Sequence, residues 1–349
     1  MRDRKADHID ICVNERITPG HNHWNDIKLV HEALPEVDYD EIDTSTVFLG
    51  RRLDLPFIVT AITGGFPGAK RINSNIAEAC SRMGVGMGVG SQRAALKGID
   101  RDSYTVIADY DVPLRVANLG APQLIEQAGK EPFTEDDLDQ AIEMIGAHTL
   151  AIHLNYLQEV VQPEGDKRSV GCFDRIRDIA RRRSVIVKET GAGISTSTAQ
   201  RLKGIGIRAL DISGMGGTSF SAVEMHRARK AQDRVRERIG ETFFDWGIPS
   251  PVSLRMAQVG LPLIASGGIG DGLQAAKALV MGASLAGTAN PILKEAMVSA
   301  DAVEGKLVEM AEELRVAMML TGSRDLEELA NQDYIVTGPT REWMQRDHK

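Results

Sequence analysis

Eight times along this chain, a short apolar run rich in β-branched residues gives way to glycine or a polar residue, and then to helical apolar spacing. The runs predict strands at 57–63, 85–89, 114–118, 150–154, 184–188, 209–213, 262–266 and 284–287. Amphipathic stretches at 72–83, 135–147, 173–182, 195–204, 250–259 and 272–281 fill the gaps between them. Strands that alternate with helices form a parallel sheet with helical crossovers, and eight such units close a (β/α)8 barrel. An open doubly wound sheet competes with this reading, but it calls for a G-x-G-x-x-G turn after its first strand. The nearest stretch, Gly84–Gly90, lacks that spacing. The expected fold is therefore α/β, a TIM barrel over residues 1–349 as a single domain. It carries an N-terminal extension (1–55) and an insertion between strands six and seven (219–250). The charged run 224–238 within the insertion predicts a helix, either a lid over the barrel mouth or a solvated face. A last helix is expected over 303–321.

Composition narrows the function classes. Of 349 residues, 41 are Lys or Arg and 49 are Asp or Glu, so the net charge of −8 disfavours non-specific nucleic-acid binding. No apolar stretch approaches the roughly 18 residues of a membrane span, and the first residues are charged where a signal peptide is apolar. These features predict a cytoplasmic protein with neither a nucleic-acid nor a membrane partner. Cys12, Cys80 and Cys172 form no C-x-x-C pair and read as small core residues.

The C-terminal ends of barrel strands carry active sites, and every predicted strand here ends in polar or glycine residues. They include Thr63, Ser91 to Arg93, Asn118, His153 with Asn155, Lys188 with Glu189, Ser213, Ser266 and Thr288. The loops Ser266–Gly272 and Ala286–Ala289 follow strands seven and eight, where barrels cradle phosphate with backbone N–H groups at a helix start. Lys188 closes an apolar strand. It reads as a Schiff-base nucleophile, as a cation beside an anionic cofactor, or as half of an ion pair with Glu189 or Asp211. The segment His153–Glu159 and then Gln162–Asp166 is dense in amides and acids. One carboxylate among amides suits Mg2+ shared with a substrate phosphate. Arg93 suits bidentate phosphate binding. Arg4, Lys5 and His8 by composition alone read as a solvated tail.

Together these motifs resemble the type 2, FMN-dependent isopentenyl diphosphate isomerases. The matching pieces are RKADHI (4–9), TGG (63–65), GSQR (90–93), VANLGAPQ (116–123), HLNYLQE with QPEGD (153–166), VKETGAGIS (187–195), DISGMGGTSF (211–220), SGGIGDG and AGTANP. They run in order along nearly the whole chain. Ile62 stands where the family pattern has Met, an apolar exchange.

The resemblance implies FMN at the C-terminal face. Ala61, Ile62, Thr63, Ser91, Asn118, Lys188 and Thr218 would hold its ring and ribityl chain. Gly267, Gly268, Ile269, Ala286 and Gly287 would hold its phosphate. Arg4, Lys5, Ser91, Gln92, Arg93, His153, Asn155 and Gln158 would grip a diphosphate substrate, which turns the N-terminal tail into a clamp. Glu159 would bind Mg2+. Gln158 and Lys188 would serve catalysis beside reduced FMN, with NADPH as the flavin's reductant. A homotetramer or larger homo-oligomer is also implied. Trp246 or Phe220 is expected to cover an apolar tail. Three other readings compete: an FMN oxidase of 2-hydroxy acids, a Schiff-base aldolase built on Lys188, and a barrel that binds a phosphorylated ligand without turnover. The oxidase needs a catalytic His late in the barrel, and His226 lies instead within the charged insertion.

Overall fold

The computed structural model describes residues 4–345. Eight parallel strands close a barrel: β1 (Phe57–Val59), β2 (Gly86–Gly88), β3 (Leu114–Gly120), β4 (Thr149–Leu154), β5 (Val185–Glu189), β6 (Ala209–Asp211), β7 (Leu263–Ala265) and β8 (Leu285–Thr288). Each pairs with its sequence neighbours, and β8 returns to β1. All eight predicted strands exist, and several are shorter than the apolar run suggested. At β1 the ladder stops at Val59 although the apolar run continues to Thr63.

Alternation along the strands builds the interior, because successive side chains point to opposite faces. Ile58, Leu114, Val116, Ala151, Ile186, Ala209, Ile264 and Leu285 form one buried cluster inside the barrel. Phe48 and Leu53 join it from the hairpin Thr46–Phe48/Arg51–Leu53. The intervening residues, such as Val59, Ile152 and Val187, belong to a larger cluster shared with the surrounding helices.

The helices that matter for the site are, in chain order, α1 (Arg4–Asn14), α2 (Ala69–Arg82), α3 (Glu135–Met144), α4 (Tyr156–Val161), α5 (Cys172–Ala180), α6 (Thr196–Lys203), α7 (Phe220–Lys230), α8 (Arg234–Thr242), α9 (Ser250–Met256), α10 (Gly272–Val280), α11 (Asn290–Val298), α12 (Ala300–Leu320) and α13 (Gly338–Gln345). Side-chain caps start many of them: Thr134 closes a reciprocal box with Asp137, and Ser195, Ser219, Asp233, Asp271 and Ser299 each accept from a first-turn amide.

Two expectations are corrected here. The charged insertion is two helices, broken where Gln232 takes φ +59° and Asp233 caps α8. Its first half is not a solvated face: Ser221 to His226 and Ala228 are buried, with α7 packed on α1, α4 and α8, whereas α8 buries only Gly240. Outside the barrel, Ile27–Leu29 pairs antiparallel with Tyr334–Val336, joining the N-terminal extension to the end of the chain.

Candidate active site

Two residues beyond the buried interior layer, the same alternation sets a polar layer at the barrel's C-terminal mouth. Thr60, Asn118, His153, Lys188, Asp211 and Ser266 stand at i+2 from Ile58, Val116, Ala151, Ile186, Ala209 and Ile264, so they share the inward face. Strand register aligns them: His153 pairs with Lys188, and Lys188 with Asp211. Above this layer lies a cavity of about 530 Å³, within the range of small-molecule sites.

Lys188 donates from Nζ to the Glu189 carbonyl at 2.8 Å and lies 3.4 Å from Asp211 Oδ2. Ser266 Oγ donates to the other Asp211 oxygen. The lysine therefore has a structural partner and still lines the cavity. Asp211 is thus more than an ion-pair partner, and its i+2 position above Ala209 is readable in the sequence. Burial pushes the Glu189 carboxyl up to about 7, against three backbone amides and Lys188 that favour its charge. His153 is pushed down to about 3 by burial, with Lys188 and Lys5 adding to the effect. Its Nδ1 lies 2.8 Å from Asn118 Oδ1, and Asn118 Nδ2 donates to the Val89 carbonyl at 2.9 Å. Asn118 therefore presents its oxygen, the imidazole carries its proton on Nδ1, and Nε2 is left as an acceptor.

Next to this layer, α4 carries Gln158 and Glu159. Glu159 is buried; one oxygen accepts from Asn155 Nδ2 and Gln123 Nε2, both at 3.3 Å, and the other from the Asp166 amide at 2.6 Å. Asn155 Oδ1 is buried with no partner among the described residues. Arg93 is paired with Asp166 at 2.7 Å, and Lys130 bonds the other oxygen of that carboxylate at 2.5 Å. Gln158 Nε2 donates to Glu224 Oε1 at 3.1 Å, and His8 reaches the same oxygen at 2.9 Å. Burial works to raise the Glu224 carboxyl, but His8, Arg227 and Gln158 together hold it below its ordinary range.

The N-terminal cluster is no tail. Helix α1 lies at the mouth, and Arg4, Lys5, His8, Ile9 and Cys12 line the cavity. Lys5 Nζ donates to the carbonyls of Gly64 and Ser91 and to the Tyr104 hydroxyl.

At the opposite side, Gly267 and Gly268 take φ of +91° and +85°. The amides of Gly268 and Ile269 have no partner among the described residues. The start of α10, expected to complete the cradle, is already used: Gly270 donates to Gln274, Gly272 to Glu313 and Gln274 to Asp271. Among the described residues, the Gly268 and Ile269 amides of the loop are thus left open towards an anion, while three amides at the helix start are held by protein side chains.

Of the anticipated residues, Ala61, Ile62, Thr63, Ser91, Arg93, Asn118, His153, Asn155, Gln158, Glu159, Lys188, Thr218, Gly267, Gly268, Ile269 and Gly287 line one cavity with Arg4 and Lys5. Gln92 and Ala286 do not. Gln92 is fully buried, donating to the Ala141 carbonyl at 2.7 Å and accepting from the Asn118 amide at 2.9 Å, so it joins β3 to α3. Ala286 spends its amide on Pro56 within the barrel wall. Phe220 lines the cavity; Trp246 is 62% exposed and does not. His226 is also outside it, bonded to the Arg16 carbonyl. Gln123 and Asp166 lie inside two of the motifs, and only the fold gathers them around Glu159.

Residues 173–337 match the family model described as FMN-dependent dehydrogenase. Among solved structures, a flavocytochrome b2 variant with benzoylformate superposes with a TM-score of 0.67 at 17% identity, covering 99% of this chain and 88% of the other. A mandelate oxidase variant gives 0.65 at 16%, covering 95% and 94%. At such identities the likeness is one of fold. Sequence relatives are closer. The isopentenyl-diphosphate delta-isomerase of Thermoplasma acidophilum is 47% identical over 345 residues, 98% of each chain. That of Picrophilus torridus is 43% identical over 346 residues, 99% of each. With identity of this order over nearly the whole of both chains, this protein belongs to the isopentenyl-diphosphate delta-isomerase family.

Proposed function

We propose that this protein interconverts isopentenyl and dimethylallyl diphosphate, holding FMN against the barrel mouth and Mg2+ on the substrate's diphosphate. The observation that carries the reading is the single cavity with two polar ends. An amide-lined loop at Gly268 and Ile269 lies at one side, and the Arg93, Asn155 and Glu159 cluster at the other. Apolar Ala61, Ile62 and Phe220 also line it.

The residues fit both groups. The two unpartnered loop amides suit the flavin phosphate, and Lys188 supplies a cation for the ring's polar edge. Glu159 with the orphaned Asn155 Oδ1 offers hard oxygen donors and one carboxylate, a Mg2+ set that leaves room for substrate phosphate. When bound and reduced, FMN supplies the proton donor and acceptor that moving an unactivated double bond requires. Arg93 and the Glu159 cluster anchor the charged end, and this remote binding orients the reacting carbons. Gln158 is held in one orientation by Glu224 and Asn155, so its amide meets the substrate already ordered. Phe220 and α1 keep water from the alkene end, where cationic character develops. His153, neutral and donating to Asn118, presents an acceptor rather than a second cation.

The proposal also covers NADPH as the flavin's reductant, one domain over the whole chain, a homo-oligomer of four or more subunits and a cytoplasmic location. No helix among the described residues is long and apolar enough to cross a membrane.

The test is product formation from isopentenyl diphosphate with FMN, Mg2+ and NADPH or dithionite under anaerobic conditions. Dimethylallyl diphosphate is expected only where the flavin is reduced. Flavin binding without isomer in either sample would overturn the reaction, and an absence of flavin binding would overturn the cofactor as well.

A further inference from the structure

Behind the Gly267–Gly268 turn, three side chains hold two consecutive carbonyls. Trp24 Nε1 donates to the Gly267 carbonyl at 3.0 Å, and Ser250 Oγ donates to the same oxygen at 2.6 Å. Asn22 Nδ2 donates to the Gly268 carbonyl at 2.7 Å. In a trans peptide, a carbonyl and the following N–H point in opposite directions. Fixing these two oxygens toward the protein therefore fixes the Gly268 and Ile269 N–H groups away from it, the same two amides that have no partner among the described residues.

The brace is itself anchored. Asn22 Oδ1 accepts from the Trp24 amide at 3.1 Å, which sets the orientation of the Asn22 side chain. Trp24 is fully buried, and its carbonyl accepts from Lys277 Nζ on α10 at 3.1 Å. On either side, His23 lies 2.7 Å from Thr340 Oγ1, and His21 lies 2.9 Å from Asp26 Oδ2. The atoms of His21, His23 and Asp26 that could meet at a metal are thus spent on one another and on Thr340, and they serve to pin the segment.

The loop has no slack of its own. A Cβ on Gly267 would fall 2.3 Å from the Gly214 carbonyl oxygen, and one on Gly268 2.7 Å from that of Gly216. Glycine permits the left-handed turn, but it does not choose which way the peptide planes face. Asn22, Trp24 and Ser250 make that choice.

We infer that Asn22, Trp24 and Ser250 are positioning residues for an anion cradle, aiming two loop amides at the terminal phosphate of the bound flavin. This rests on the flavin reading above and assigns to the pre-barrel segment a part in cofactor selection. Fixed amides cost no reorganisation when the anion arrives, so loosening them weakens phosphate recognition and leaves ring contacts intact.

The experiment compares FMN with riboflavin, which lacks the phosphate, by fluorescence titration of the apoprotein and of its Asn22→Ala, Asn22→Asp, Trp24→Phe and Ser250→Ala variants. Asn22→Asp keeps the shape and turns an acceptor toward the carbonyl. Melting curves identify which variants remain folded, and only these are compared. Each is expected to lose about tenfold in FMN affinity, the worth of one well-placed hydrogen bond, with less than about threefold change for riboflavin. Equal losses for both flavins would reduce the brace to general stability and overturn the inference, as would unchanged FMN binding. A wild-type protein that binds neither flavin would instead overturn the flavin reading, a separable outcome.

Discussion

His153 shows how one buried side chain couples the site to pH. Its imidazole is held neutral, with a pKa near 3 against an ordinary 6.5, chiefly by burial. The unfolded chain therefore binds the proton first, and stability is complete above about pH 6.5 and falls as pH drops toward 3. The slope approaches about 1.4 kcal/mol per pH unit inside that window. A His153→Gln variant should flatten it: between pH 6.5 and 5, wild type is expected to lose about 1.6 kcal/mol more than the variant in urea unfolding. Parallel curves would show that His153 titrates normally. Residue identity here is legible in the sequence, since polar His153 and Lys188 interrupt the apolar runs that become β4 and β5. The protonation state is not, because it follows from neighbours on other strands.

At the level of elements, the motif QPEGD works because its glycine allows a loop to fold back on α4. A Cβ on Gly165 would lie 1.9 Å from the Glu159 carbonyl oxygen, so any side chain pushes the loop away. The Asp166 amide would then leave Glu159, and the Asp166 carboxylate its bonds to Gln123 and Arg93. Gly165→Ala is predicted to raise the Mg2+ concentration needed for half-maximal isomerisation by about tenfold or more, as expected when the supports of a metal ligand are removed. Flavin affinity should stay unchanged, because the cradle lies across the cavity. A fall in both would mean the loop supports the whole mouth. The sequence shows the loop's composition, and packing against α4 explains its order. The insertion gives the opposite lesson. Its run of charges reads as one helix, yet Asp233 caps a second, and contacts with α1 and α4 bury a face that composition leaves open.

Across the whole molecule, the N-terminal extension and the C-terminal segment are sewn together at Asp26. Burial works to raise its carboxyl, and hydrogen bonds from Thr340 and His21 more than reverse this, so it sits below its ordinary range. A depressed carboxylate stabilises above the unfolded value of about 3.9 and loses that contribution as pH falls through the folded one. Asp26→Asn should therefore raise hydrogen exchange at residues 334–345 at pH 7, and wild type should show the same loosening only below about pH 4. Exchange rising uniformly over the barrel would sink the idea of a local seam. By itself the sequence determined the barrel, its eight strands and the polar mouth. Alternation and strand-helix order are local signals, and the interior and upper layers follow from them two residues at a time. Tertiary structure alone decided that Gln92 turns into the wall and that Gln123 and Asp166 gather around Glu159. It also decided that Asn22 meets a carbonyl 246 positions away. Those contacts depend on how separate segments meet once the barrel has closed, and no spacing along the chain encodes that meeting.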